Sequence, residues 1–347
     1  MNQNQLNIDK VTALWAFSEA ALGGILHALK IPFTGLFVGG TAVIFISLIA
    51  YFSNSKKVII ESTIKVILVK FVVSPYSPIN AYFAVFLQSL LGYILFFNGF
   101  NKISPVILGF LSLLFSAFQK VIVLTVVFGM TLWESIDVFF KFVLNQFVPN
   151  ISPIKDFDIS YFIISLYIFL HIIGGISAGI YASNLPARLK KHSDKKSDKL
   201  NFQINDFLNN VTQKRKKKKF WQKKSNIYLF IFFVILIVIS FLFEEVENEL
   251  AVNVFFMILR SVSIIVIWYY FLSPIILKIV KKYLSNKKQK QAEEIENIVQ
   301  LFPNIRSIIK YSWNETQNYN KVKRVFFFFD KVLIHYLLFN DRNEKSN

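Results

Sequence analysis

The 347-residue sequence contains no cysteine and only four histidines. Without cysteine there is no disulfide, no thiolate nucleophile and no cysteine-ligated metal site. The histidines show neither HxxxH nor HExxH spacing, and the chain has no Walker P-loop, GxSxG elbow or GxGxxG fingerprint. We therefore expect no metal, no cofactor and no enzymatic activity, and any ATP used by the system would be bound by another chain.

Acidic residues are also scarce, with 21 Asp and Glu against 39 Lys and Arg. Hydrophobic residues make up 54% of the chain, 39 of them are Phe, and the mean hydropathy is +0.48. These values lie far outside those of an ordinary soluble domain, so the composition predicts an all-α polytopic membrane protein whose partner is the lipid bilayer. The positive charge is typical of cytoplasmic loops. Aromatic residues are not interleaved with the basic ones as in a base-stacking surface, so we do not expect nucleic-acid binding.

Eight segments are apolar and long enough to cross the hydrocarbon core of a bilayer, which takes about 20 residues. Six precede a basic linker and two follow it: 11–30, 34–53, 58–73, 80–98, 104–131, 159–183, 227–243 and 250–280. The third is the weakest candidate because it carries Glu61, Lys65 and Lys70. We expect Glu61 to pair with Lys65 one turn later and Lys70 to snorkel to the interface. The amphipathic segment 132–148 is predicted to lie on the membrane surface or to act as a lid.

The loop charges predict the orientation. Residues 184–225 hold 14 Lys and Arg against three Asp, whereas residues 244–249 read EEVENE. By the positive-inside rule the first loop is cytoplasmic and the second is outside. Both termini are then cytoplasmic, in a bacterial inner membrane, and we see no signal peptide. Residues 30–35, 74–79 and 131–158 would face outwards.

Three regions follow from this arrangement. Residues 1–183 form a candidate six-helix membrane domain, and residues 184–225 are a basic cytoplasmic linker too polar to build a core. Residues 226–347 are predicted to form a two-span hairpin followed by amphipathic helices over 291–338. Such helices are suited to lying on the membrane or docking a soluble partner.

The first predicted helix has two distinct faces. Ala16, Ala20 and Gly24 recur every four residues, which lets another helix backbone approach closely. Glu19 and His27 lie on a second face, two turns apart. Ionisable groups inside a span are functional by default, so both are candidates for binding a ligand. The alternatives are an interhelical hydrogen bond from Glu19 to a neighbour and an interfacial position for His27.

Further polar residues lie in the outer connections and within the spans. Thr34, Asn80, Trp133 and Glu134 could form a gate for a small ligand, although for Trp133 taken alone an aromatic belt at the interface is the favoured interpretation. Gln88 is an uncharged polar group inside a span and another ligand-binding candidate, and Gln119 with Lys120 is a second such position lining the bundle interior. A further small-residue face over 174–179 is explained by close helix packing.

The first half resembles the substrate-binding S component of the energy-coupling-factor (ECF) vitamin transporters. The resemblance rests on six spans with both ends inside, the small residues of the first helix, KIPFTG at 30–35 and the stretch at 77–93 ending in AYFAVFLQSLLGY. It implies that Ala16, Ala20 and Gly24 dock against another membrane subunit, the T component. It also implies that the outer loops and inward faces hold a vitamin or related compound.

The second half is similar, more weakly, to a T component. FPNIRSIIKYSW at 302–313 and NKVKRVFFFFDKVL at 320–333 resemble its cytoplasmic coupling helices. In that family such helices press arginine-containing ends into grooves of paired ABC-type ATPases, which would assign this role to Arg306 and Arg324. The resemblance therefore implies an uptake-transporter subunit coupled to a separate ATPase. The alternative is a membrane scaffold whose basic cytoplasmic surface binds partners or anionic lipid.

Overall fold

A computed structural model describes ten stretches of the chain, and every regular element in them is a helix. The described residues are 3–28, 33–53, 55–74, 77, 79–147, 158–208, 231–235, 237–238, 250–286 and 289–339. No strand occurs within these ranges. The all-α fold class predicted from the sequence is confirmed.

Two of the helices are interrupted by a π-helical turn. Helix α1 consists of Gln3–Phe17, a π-turn at Ser18–Leu22 and Gly23–Ala28. The helices that follow are α2 (Thr34–Phe52), α3 (Lys57–Val73), α4 (Ile79–Leu95), α5 (Ser104–Phe128), α6 (Thr131–Phe147) and α7 (Ile159–Leu208). Helix α8 consists of Leu250–Val266, a π-turn at Ile267–Leu272 and Ser273–Asn286, and it precedes α9 (Gln289–Gln300), α10 (Phe302–Glu315) and α11 (Lys321–Leu338).

Local chemistry sets the ends of α5, an apolar helix of 25 residues. The Asn101 side chain accepts hydrogen bonds from the backbone N–H groups of Ile103 (2.9 Å) and Ser104 (2.7 Å). Pro105 occupies the first turn, where a missing N–H leaves no intrahelical bond unmade. The helix ends at Gly129, whose φ of 76° is favourable for glycine and stops the helical path.

Four described helices are long and apolar enough to cross a membrane, and they indicate a membrane protein. They are Thr34–Phe52, Ser104–Phe128, Ile159–Lys191 and Val252–Ile276, which match the predicted spans 34–53, 104–131, 159–183 and 250–280. Asn80–Leu95 is apolar but shorter. The predicted spans 11–30 and 58–73 fall on α1 and α3, and most of 227–243 lies outside the described residues.

Helices α5 and α7 make backbone contact through glycine. A Cβ atom added to Gly175 would lie 2.3 Å from the carbonyl oxygen of Gly109. One added to Gly179 would lie 2.5 Å from the carbonyl oxygen of Pro105. Only glycine permits this approach. The close packing predicted for the small-residue face at 174–179 is confirmed.

The C-terminal helices pack against the bundle at the end where α1 begins. Buried residues of α1, such as Val11 and Trp15, belong to the same hydrophobic core as Ile305 of α10. The Phe17 and Phe302 rings meet edge to face at 5.2 Å. The helices predicted within 291–338 are therefore present, and their apolar faces are buried against the first half of this chain.

Charged side chains of α1 and α3 also bind the C-terminal helices at this end of the bundle. Lys10 donates hydrogen bonds to the carbonyl oxygens of Leu337 (3.3 Å) and Phe339 at the end of α11. Lys65 lies 3.1 Å from Glu294 of α9, so its carboxylate partner is a different one from the predicted Glu61. Packing of α9 against α3 brings Glu294 within reach, which the spacing within α3 could not indicate. Burial raises the pKa of nearby Asp9, while the charge of Lys65 opposes the shift.

Candidate functional site

A polar cavity of about 340 Å³ lies between six helices, α1 to α5 and α7. Residues from the later parts of α1, α3 and α5 line it together with residues from the first turns of α2 and α4. The cavity therefore lies beyond Phe17 and Lys65, towards the end of the bundle opposite the C-terminal helices. Its polar lining residues are Glu19, Thr34, Lys70, Asn80, Gln88, Ser116, Gln119, Lys120 and Tyr167.

A buried ion pair forms part of the cavity wall. The Lys70 Nζ atom lies 2.7 Å from Glu19 Oε2, and the two side chains are only 5% and 2% exposed. At this burial each charge depends on the other, because an uncompensated buried charge is strongly destabilising. The prediction that Lys70 snorkels is wrong, since Glu19 on the neighbouring helix supplies a partner inside the bundle.

Glu19 lies within the π-turn of α1, which changes the register of the helix at this point. Such single π-turns are frequent at functional sites. Ser18, the preceding residue, is 3.0 Å from the Thr41 hydroxyl of α2 and fixes the turn against that helix. Gly23, one turn further on, also lines the cavity and leaves the space beside Glu19 unfilled.

Helix α4 contributes Asn80 and Gln88, two turns apart on one face. The Asn80 carbonyl oxygen accepts a hydrogen bond from Gln119 of α5 at 2.8 Å, which fixes the start of α4. The Gln88 side chain is buried at the cavity wall and forms no hydrogen bond with another described residue. A Cβ added to Gly39 would lie 3.0 Å from Gln88 Nε2, so glycine on α2 makes room for this amide. The Gln88 amide is available to a bound solute.

Aromatic groups close the side of the cavity next to α7. The Tyr167 ring stacks on Phe33 at 5.8 Å and packs against His171 at 4.2 Å. His171 is fully buried, and its Nδ1 atom is 2.9 Å from the Tyr167 carbonyl oxygen. Neither Tyr167 nor His171 was predicted from the sequence, because an aromatic residue and a histidine in an apolar span carry no signal of which face they occupy.

Four of the predicted ligand-binding residues meet in this cavity: Glu19, Thr34, Asn80 and Gln88. Trp133 and Glu134 lie elsewhere, on α6. The Trp133 indole donates a hydrogen bond to the Thr125 hydroxyl at 2.9 Å, and the Glu134 side chain is exposed. The side chain of His27, the remaining candidate, lies outside the described part of the chain.

The predicted docking residues occupy contrasting positions. Ala16 and Ala20 are buried within this chain, and Gly24 is half-buried. Arg306 is exposed on α10. The Arg324 guanidinium lies 4.0 Å from the centre of the Trp313 ring and donates to the Trp313 carbonyl oxygen at 3.2 Å. Their roles in partner docking stay predictions.

Comparison of the chain with protein-family models, with characterised proteins and with solved structures finds no match. The site is therefore interpreted from its own chemistry. It offers a buried carboxylate and ammonium, several amide and hydroxyl groups and an aromatic wall around open space. Among the described residues, no group of three or more His, Cys, Asp or Glu could hold a metal ion. The arrangement is suited to holding a small polar solute by hydrogen bonds and charge.

Proposed function

We propose that this chain is a membrane subunit of an uptake transporter similar to the ECF systems. It binds a small nutrient, a vitamin or related compound, in the cavity from outside and couples to a separate cytoplasmic ATPase. The observation that carries the proposal is the cavity itself: open space beside the buried Glu19–Lys70 pair, at one end of the bundle.

The size and lining of the cavity support solute binding. Pockets for small molecules commonly enclose about 300 to 1,000 Å³ and place a few polar groups on a largely apolar surface. The volume of about 340 Å³ falls at the lower end of that range. Charged groups inside a bundle are expensive to keep in a membrane and generally mark a substrate path. The buried ion pair therefore favours a transported solute over mere packing.

The transport direction follows from the six-span topology that the sequence predicts. If α1, α3 and α4 cross the membrane beside α2, α5 and α7, the basic segment after residue 184 is cytoplasmic. The first turns of α2 and α4 then lie outside, and the cavity is open to external solute. The C-terminal helices lie on the cytoplasmic side, where an ATPase could reach them.

Coupling is supported by two helices that reach both ends of the bundle. Helix α1 carries Lys10 on the carbonyls of α11 and Glu19 in the cavity wall. Helix α3 carries Lys65, paired with Glu294, and Lys70 in the cavity wall. Displacement of the C-terminal helices by a partner would thus act directly on both members of the cavity ion pair. Arg306, which is exposed on α10, is our candidate for contacting that partner.

The proposal is tested by measuring thermal unfolding of the purified protein in detergent against a panel of vitamins, amino acids and nucleosides. We expect a binding solute to raise the melting temperature. Gln88→Leu, which removes the free amide at similar volume, should weaken that solute's affinity about tenfold, as the loss of one hydrogen bond predicts. Glu61→Gln, an exposed change on α3, is the matched control. Equal losses in both variants would contradict solute binding in the cavity.

A further inference from the structure

We propose that the cavity selects small anionic solutes, and carboxylates in particular. The proposal rests on the proposed function, because it names the chemical class of the solute. Its first support is the charge of the lining, which holds one carboxylate, Glu19, and two ammonium groups, Lys70 and Lys120. Glu19 and Lys70 compensate each other at 2.7 Å, so the lining carries one excess positive charge.

Lys120 supplies that excess charge. It lies on α5 at the cavity, its side chain is exposed, and it forms no ion pair with a carboxylate among the described residues. An ammonium group held beside low-dielectric walls attracts anions more strongly than the same group in bulk water, because the walls focus its field. Lys120 is therefore available to the solute in a way that Lys70 is not.

Helix orientation adds to the positive potential. Helices α2 and α4 both begin at the cavity, where Thr34, Gly35, Asn80 and Ala81 of their first turns line it. Each helix N-terminus carries a partial positive charge of roughly half a unit. By contrast, α5 runs on for two turns beyond Lys120, and α1 for more than one turn beyond Gly23, so their partial negative charges lie further from the solute. Helix α3 ends at Val73, three residues after Lys70, so its partial negative charge offsets one of the two N-termini.

The Gln88 amide provides a matching donor. It is 5% exposed, lines the cavity and forms no hydrogen bond with another described residue. A carboxylate oxygen can accept a hydrogen bond from its NH₂ group. A cationic solute would find no unpaired carboxylate in the lining, since Glu19 is held by Lys70. The described lining thus favours an anion over a cation.

The absence of cysteine allows the charge preference to be measured directly. A single thiol introduced by Ser116→Cys, or separately by Ala84→Cys, lies in the cavity lining. Each variant is treated with the anionic reagent methanethiosulfonate ethylsulfonate and with the cationic reagent methanethiosulfonate ethyltrimethylammonium. The ratio of the two rates is divided by the same ratio for Gln317→Cys, an exposed position between α10 and α11.

We expect the normalised ratio to favour the anionic reagent by about tenfold, within the range that charged clefts produce. Adding Lys120→Gln should lower the ratio about fivefold, whereas Lys102→Gln, just before the start of α5, should leave it unchanged. A ratio of one or below at both thiols would overturn the anion proposal and leave solute binding intact. Failure of both reagents to reach either thiol would overturn the proposal together with the proposed function, because the cavity would then be closed.

Discussion

The charged side chains at the two ends of the bundle have different kinds of partners. At the end where α1 begins, Lys10 and Lys65 are satisfied by groups from the C-terminal helices, and apolar side chains fill the space between them. At the opposite end, Glu19 and Lys70 satisfy each other, and a cavity remains beside them. The same two helices, α1 and α3, build both ends.

The difference indicates what each end is for. Space in a helical bundle is normally filled, because unfilled volume forfeits packing contacts. The closed end follows that rule with residues from far along the chain, such as Phe302, which packs against Phe17 from 285 positions later. The cavity end departs from it and retains the Gln88 amide, which forms no hydrogen bond with another residue that the structure describes. Departures of this kind are expected where a protein binds something else.

The largest expected effect comes from breaking the ion pair at the cavity end. Lys70→Met leaves the Glu19 carboxylate buried and uncompensated, which should lower the free energy of unfolding by about 3 to 5 kcal/mol. The double variant Glu19→Gln, Lys70→Met removes both charges and should recover most of the loss. Thermal unfolding in detergent measures both. A double variant as unstable as Lys70→Met would mean that the side-chain packing, and not the charge, is what stabilises this wall.

Four of the residues that line the cavity could be proposed from the sequence, because a polar side chain inside an apolar segment generally faces the interior of a bundle. Glu19 and Gln88 carry that signal by type alone. Thr34 and Asn80 were indicated by their position, because each adjoins a connection that is predicted to lie on the outer side of the membrane. Sequence order was sufficient to place them at the same end of a bundle, although not to show that their side chains converge.

Other features required the three-dimensional arrangement. Lys70 lies near the end of α3, where a lysine ordinarily snorkels, and only the packing of α1 against α3 gives it Glu19 as a partner. The same holds for Lys65, whose partner Glu294 is more than 200 residues away in the chain. Trp133, a candidate for the ligand gate, donates a hydrogen bond to Thr125 of α5 and is not among the residues that line the cavity. Spacing within one helix cannot reveal contacts between helices.

A second prediction concerns the α5–α7 contact, which holds two cavity-lining helices together. Gly175→Ala places a Cβ atom 2.3 Å from the Gly109 carbonyl oxygen, so the two backbones must separate. We expect a loss of about 1 to 3 kcal/mol, as for an overpacked core. The matched control is Gly40→Ala on α2, whose Cβ would meet the Ala178 Cβ at an ordinary 3.7 Å. Equal melting temperatures for the two variants would show that the helix contact is not tight.

The smallest loss of stability is expected at the contact between the C-terminal helix α11 and α7. Asp330 of α11 accepts a hydrogen bond from the Tyr181 hydroxyl at 2.9 Å and lies 2.8 Å from the Arg188 guanidinium. Its side chain is 7% exposed, whereas that of Arg188 is 36% exposed and is partly screened by solvent. Asp330→Asn keeps the shape and one acceptor but removes the charge. Because solvent screens Arg188, the loss of stability should be about 1 kcal/mol, below the usual range for a charged hydrogen bond.

The neighbouring substitution Lys331→Gln provides the control for Asp330→Asn. Lys331 of α11 forms a partly exposed ion pair with Glu315 of α10, and the pair joins these two helices only. An exposed pair contributes little, so this variant should unfold at nearly the wild-type temperature. If the two ends of the bundle are coupled through the C-terminal helices, Asp330→Asn should also alter the rate at which the Ser116→Cys thiol reacts, and Lys331→Gln should not. If Asp330→Asn lowers the melting temperature but leaves the reaction rate of the Ser116→Cys thiol unchanged, Asp330 stabilises the closed end only. That result would argue against coupling through α11.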